Sequence, residues 1–292
     1  MTVAIQEDGK RTPASAVADS ITGAKEGALN ALADVGSFAS FSAEAVSVTP
    51  ITLKRYPKEV MRQLTDIAWG SGAILVGGGT VGVMILLSVA AGTSLGIEGF
   101  NGLELIGLAP LTGFISAGVS TRELAPLIAA LALAAQVGCR FTAQLGSMRL
   151  HEEIDALAVM AVQPMRYLVT TRVIAAMLAI VPLYLIGLIG SYIAAQATVV
   201  LLFHQSGGTY DHYFSAFIQG RDILLSVVKI VVFAFAVALI HCWYGFNASG
   251  GPQGVGEATG RAIRASIVVV VLLDMVLTLL FWGASPGFRI SG

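Results

Sequence analysis

Four ionisable side chains sit in stretches that are otherwise nearly free of charge: Arg122, Glu123, Lys229 and Asp274. A charge placed in hydrocarbon is costly, so such groups are kept where they pair with one another or meet a solute. Lys229 lies about two turns inside one end of an apolar run, and Asp274 lies near the middle of the next. At about 1.5 Å of rise per residue the two differ in depth by roughly 5–10 Å, within reach of a lysine stem. The spacing predicts an ion pair between neighbouring helices, with contact to a transported solute as the alternative. Arg122 and Glu123 stand at the entrance to a span and read as a local ion pair or a partner contact rather than a proton relay.

A second charged constellation has a different character. His151-Glu152-Glu153-Ile154-Asp155-Ala156-Leu157 follows an apolar stretch directly and is closed by Gln163-Pro164. Ile154, Leu157, Ala158 and Ala161 recur at helical spacing, while Glu152, Glu153 and Asp155 crowd the first turn, where the helix dipole favours negative charge. Such a helix can offer an acidic knob to a partner, with Ile154, Leu157 and Met160 as its apolar wedge, or it can be a capped surface helix whose acids face water.

Other chemistry is not encoded. No Gly-x4-Gly-Lys-Ser/Thr loop is present, and Gly77-Gly78-Gly79 lacks the lysine. If the chain is part of a pump, another chain must hydrolyse ATP. The histidines (151, 204, 212, 241) and the cysteines (139, 242) have no metal-ligand spacing, no Ser-His-Asp grouping is suggested, and Cys139 and Cys242 read as structural thiols.

The elements that must position these residues are membrane helices. With 55% hydrophobic and 12% charged residues among 292, the charged share is about half that of an ordinary soluble domain. The fold class expected is an all-α polytopic membrane protein. Its membrane domain over 51–285 holds an interfacial amphipathic helix at 57–69, five spans at about 70–97, 122–148, 173–203, 223–246 and 265–283, and the short acidic helix at 151–162. Residues 1–50 form a tail with a weakly apolar segment, and 286–292 a brief end. The run 103–121, broken by Pro110 and Gly113, reads as an extra span or as a broken segment that enters and returns; the resemblance given below implies a piece folded against the outer side, ahead of a span from about Arg122. Pro182 with Gly187 and Gly190 predicts a kink or a tight contact, and 206–218 a short aromatic amphipathic helix at the far surface. Ser249 to Gly256 reads as a glycine-rich turn. Ala130, Ala134, Gly138, Thr142 and Gly146, at every fourth position, let another helix approach closely, since lipid gives no hydrophobic reason for helices to associate.

Lysine and arginine orient the model. Of 17 such residues, 13 lie before the first span, around the acidic helix or before the last span, so that side is read as cytoplasmic. The N-terminus is then inside and the C-terminus outside, as an odd number of spans requires.

Three segments in order also carry a resemblance: Arg122-Glu123-Leu124-Ala125-Pro126, Ala143-Gln144-Leu145-Gly146-Ser147-Met148, and Glu152-Glu153-Ile154-Asp155-Ala156-Leu157. With the Gly250–Gly256 turn and Ala258-Thr259, they resemble the signatures of the MlaE/YrbE family of ABC-type lipid transporter permeases, over about residues 55–283. The likeness is greatest to the B-type YrbE permeases of actinobacterial Mce lipid-import systems. One departure is Gln136, where many members carry arginine, so no role of that arginine is carried over. The resemblance implies a permease subunit in the cytoplasmic membrane that binds no cofactor itself. ATP and magnesium would sit on a cytoplasmic ATPase gripped by the 151–162 helix. A second, paralogous permease, Mce proteins outside, a lipid substrate and membrane lipids complete the expected partners; no nucleic acid is expected. An ion-driven secondary transporter of hydrophobic substrates, a membrane scaffold for an outer lipid-binding complex and a membrane-embedded enzyme are the competing classes.

Overall fold

A computed structural model of the chain describes residues 32–68 and 79–283. The chain divides into two compact units, Met1–Val46 and Ser47–Gly292. In the first, the described residues 32–46 are helical throughout (α1). The second consists of helices alone among its described residues: α2 (Thr49–Arg55), α3 (Pro57–Ala68), α4 (Gly79–Glu104), α5 (Ala109–Leu150), α6 (Glu153–Val159), α7 (Met165–Leu201), α8 (Gly207–Phe217), α9 (Gly220–Phe246) and α10 (Gly251–Trp282). Five of them, α4, α5, α7, α9 and α10, are long and apolar enough to cross a membrane. The all-α polytopic architecture is therefore what the structure shows.

Helix bounds differ from the sequence reading in instructive places. The second span begins at Ala109 rather than Arg122. Residues 109–121 are its first turns, not a separate piece, because α4 continues to Glu104 and only a four-residue turn separates the two. Pro110 sits at the N-terminus of α5, where its missing N–H costs nothing. The last span starts at Gly251, so the glycine-rich stretch is mostly helix. Within it only Gly250 and Gly251 take positive φ, at 88° and 73°, a region that favours glycine. The expected start of the first span at 70 lies outside the described residues. α7 runs on through Pro182 without ending, and its tight contact is made by Gly187, against Ser88.

Close backbone approach holds the bundle together. α4 lies along α7, and a Cβ added at Gly92 would collide with the Ser191 carbonyl. α9 packs against α5, α7 and α10. At one end of the bundle, α8 covers the ends of α4, α5 and α7, its Tyr210 and Phe214 packing with Phe100 of α4 and Val199 of α7. At the opposite end, α3 buries Val60, Gln63 and Ile67 and packs on α7. The apolar stripe expected on α3 is thus partly redistributed. Met61 is exposed while Gln63 turns inward, because its amide donates to Glu59 at 2.9 Å.

Candidate functional site

The residues that could do chemistry converge on four consecutive positions of α5. Ser120 Oγ shares a hydrogen bond with Ser191 Oγ at 2.6 Å, and Thr121 one with the Tyr192 hydroxyl, both partners on α7. Arg122 reaches α9: its Nε and Nη2 donate to Asp222 Oδ2 at 2.9 and 2.6 Å. Trp282 at the end of α10 donates through Nε1 to the other carboxylate oxygen at 2.9 Å. Glu123 accepts from Lys229 at 3.1 Å and from Thr278 at 2.8 Å.

Four successive residues of a regular helix, whose side chains step by about 100°, would point around the whole circumference and could not all serve this set of neighbours. Here α5 is wider than an α-helix between Ser116 and Leu124, and the Ala125 N–H reaches back five residues to Ser120. Wide turns of this kind re-aim side chains and occur often at functional sites. Pro126 extends the disturbance. It has no N–H, so neither Arg122 O, four residues back, nor Thr121 O, five back, receives a bond from position 126. Side chains supply both: Lys229 Nζ donates to Arg122 O at 2.8 Å and the Tyr184 hydroxyl to Thr121 O at 3.5 Å. In hydrocarbon a backbone acceptor must be satisfied internally, and an ammonium group is a strong donor to it.

Lys229 is fully buried and lies 2.7 Å from Asp274 Oδ1, in addition to its bonds to Glu123, Thr278 and Arg122 O. The pairing of Lys229 with Asp274 thus exists in the structure, and Arg122 and Glu123 belong to the same hub rather than to a span entrance. Their ion pairs are with α9, not with each other. The sequence reading missed Asp222, Trp282 and Thr278. A signal was present in Arg122 itself, since a buried guanidinium cannot lose its proton and needs an acid at its own depth. Asp222 is one of few acids available near that end. In the hub three carboxylates, of Glu123, Asp222 and Asp274, face the two cations Arg122 and Lys229. Glu123 is the most open of the three, with 33% of its side chain exposed.

The small-residue stripe lies lower on α5 and is consumed within the chain. Ala130 and Ala134 are buried, and a Cβ on Gly138 would stand 2.5 Å from the His241 ring of α9. Thr142 Oγ1 bonds His241 Nδ1 at 2.8 Å and donates to its carbonyl at 3.0 Å. Gly146 faces Val255 of α10. Cys139 and Cys242 are free thiols, and no group of three metal-ligating residues occurs among the described residues.

The acidic helix α6 is shorter than the 151–162 expected, running Glu153–Val159. Glu152 enters it in the left-handed region at φ 58°, and Ala161 leaves at φ 59°. These two strained corners clip the helix at both ends and turn it back against α5. Ile154 is 2% exposed and anchors α6 to its own chain. It is therefore not part of the outward wedge. Val159 and Met160, 88% and 64% exposed, form that surface with the half-buried Leu157, beside the exposed Glu152 and Glu153. Asp155 is held by Arg149 at 3.0 Å.

Residues 70–280 match the profile of the family described as Permease MlaE. The chain is 29% identical over 248 residues to a probable ABC transporter permease protein of Rickettsia felis, covering 85% of this chain and 92% of that one. It is 30% identical over 237 residues to the probable ABC transporter permease protein slr1045 of Synechocystis, covering 77% and 83%. It is 31% identical over 215 residues to the chloroplastic protein TRIGALACTOSYLDIACYLGLYCEROL 1 of Arabidopsis thaliana, covering 72% and 60%. A family match over residues 70–280, together with five helices long and apolar enough to span a membrane, makes this a multi-pass membrane protein of the MlaE permease family.

Proposed function

We propose that the chain is the permease subunit of an ATP-driven ABC-type lipid transporter of the Mce kind, the B-type YrbE partner in a two-permease pair. A separate cytoplasmic ATPase, with its ATP and magnesium, drives it through the 151–162 segment. The observation that carries this reading is the build of α6. A seven-residue helix lies in the chain between two long spans, is clipped at both ends and packs on α5 with Ile154 buried, yet it presents Val159, Met160, Glu152 and Glu153 outward. A rigid, exposed helix joined to two spans transmits a push, whereas a floppy loop would absorb it. The relatives' names as ABC transporter permeases support a partner that hydrolyses ATP. One relative is named for a galactolipid, which supports a lipid cargo, as do the apolar walls of the spans.

In this reading the α3 and α6 end is cytoplasmic, following the lysine and arginine bias. The membrane is the inner one, and the α8 end meets Mce proteins outside. Two permeases enclose the lipid path between them, because five spans packed this closely leave little interior of their own. The charged hub keeps the ends of α5, α9 and α10 in one rigid unit beside that path.

The test is charge reversal of Glu153 and Asp155 in the full complex. Loss of ATPase co-purification and of lipid movement, at unchanged membrane abundance of the permease, is the expected result. Normal attachment and transport in the reversed variant, or labelling that places α6 outside the cell, refutes the coupling role.

A further inference from the structure

At the α3 end of the bundle a polar pocket of about 400 Å³ opens between three helices. Arg62 and Asp66 of α3, Arg140 and Gln144 of α5, and Arg172 of α7 line it. Neither the hub nor α6 uses it.

Its cations are provided for unequally. Arg62 is engaged by Glu59, which receives its Nε and Nη2 at 3.0 and 2.6 Å. Burial pushes the Glu59 carboxyl up, but the bonds from Arg62 and Gln63 and the Arg62 and Arg172 charges outweigh it and hold it below the ordinary glutamate range. Arg140 is half-buried and donates only to a backbone carbonyl, Asp66 O, at 2.8 Å. Arg172 is 5% exposed; Nη1 donates to Leu168 O at 2.8 Å, Nη2 makes a long contact of 3.4 Å with Gln144, and Nε has no partner. Among the described residues neither Arg140 nor Arg172 has a carboxylate within ion-pair distance. Asp66 also lines the pocket: its carbonyl accepts from Arg140, and its carboxylate, on an exposed residue, is near enough to favour the Arg140 charge.

A guanidinium does not escape burial by losing its proton. A buried charge is retained where it is paired and fully hydrogen-bonded. Two arginines without an ion-paired carboxylate face one cavity that Arg62 and a single carboxylate, Asp66, also line, so cations outnumber acids there, and such a site is matched by an oxyanion that accepts from several N–H groups at once. Phosphate is the oxyanion whose geometry fits guanidinium forks. The cavity is too large for a bare ion. With α3 read as a helix in the membrane interface, a pocket beside it and near the end of α5 falls at headgroup level. We infer that this pocket binds a phosphate-class anion, the phosphate of a lipid headgroup in the leaflet on the α3 side, at a site separate from the hub.

Native mass spectrometry of the full-length chain, purified with whatever subunits accompany it, tests this. Phosphatidic acid and diacylglycerol with the same acyl chains are added in parallel, and inorganic phosphate is added as a competitor. The wild type should retain phosphatidic acid over diacylglycerol, and Arg140→Gln should weaken that preference about tenfold, the effect of one lost charge-assisted bond. Arg221→Gln, an exposed arginine at the opposite end, should change nothing. Arg172→Gln should abolish the preference; should it fail to fold, the half-buried Arg140 still decides. Retention that millimolar phosphate does not displace supports a lipid headgroup. Displacement by phosphate, lost in Arg140→Gln, supports the same site with a free anion as occupant. Equal retention of the two lipids by the wild type, or a preference that survives Arg140→Gln, overturns the proposal.

Discussion

The hub around Lys229 and the pocket around Arg172 solve one problem in opposite ways. Both bury a cation among packed helices. Lys229 is surrounded by two carboxylates, a hydroxyl and a carbonyl, so its charge is answered entirely from within the chain. Arg172 is answered by one carbonyl, a distant amide and the face of the Phe141 ring at 5.8 Å, with no carboxylate in ion-pair distance and no hydrogen-bond partner for its Nε. The first arrangement is closed and fixes helix positions. The second is open and leaves valence for something that is not protein.

Lys229→Met offers the hardest blow to this contrast. It strands Glu123 and Asp274 facing one another, and breaking a buried pair from one side costs about 3–5 kcal/mol. Thermal unfolding in detergent should drop further for this variant than for any of those that follow; an unchanged midpoint would mean the hub is not structural. Asp274→Asn keeps the volume and an acceptor oxygen but removes the negative charge paired with Lys229, a loss of about 1.5–3 kcal/mol. Recovery of assembled complex should fall. Full assembly with lost transport would instead move Asp274 to the solute pathway.

On the other side of the comparison, Arg172→Met should leave stability unchanged or raise it by about 1–2 kcal/mol in lipid without phosphate, since an incompletely paired buried ion is often better replaced by an apolar side chain. A large destabilisation would show that its two existing bonds suffice and that the pocket is closed. The smallest effect is expected at the exposed pair of Arg149 with Asp155. Arg149→Ala should change the unfolding midpoint by no more than about 0.5 kcal/mol equivalent, leaving α6 free to be studied for coupling alone.

Five spans are legible from uncharged runs, because hydrocarbon imposes a length and a composition that sequence displays directly. The Lys229 and Asp274 pair is legible for the same reason, as depth can be counted in residues. Which face each helix turns to its neighbours is not legible in this way. Arg122 looks like a span entrance because Pro110 and Gly113 look like breaks, whereas proline in a first turn begins a helix. Ile154 falls on the wrong side of α6 because periodicity identifies an apolar stripe without saying whether kin or stranger covers it. The widened turns of α5, which let four adjacent residues serve three other helices, have no compositional mark apart from Pro126.

That proline carries a consequence for how the molecule is made. A second span that cannot complete its own ladder enters the bilayer with acceptors that only later segments can meet, and the lysine that meets one arrives more than a hundred residues afterwards. Until then the nascent chain holds an unfinished surface in the membrane, one that seals only when the fourth span docks. Stalling synthesis short of Lys229 should therefore leave the first three spans protease-sensitive and prone to degradation.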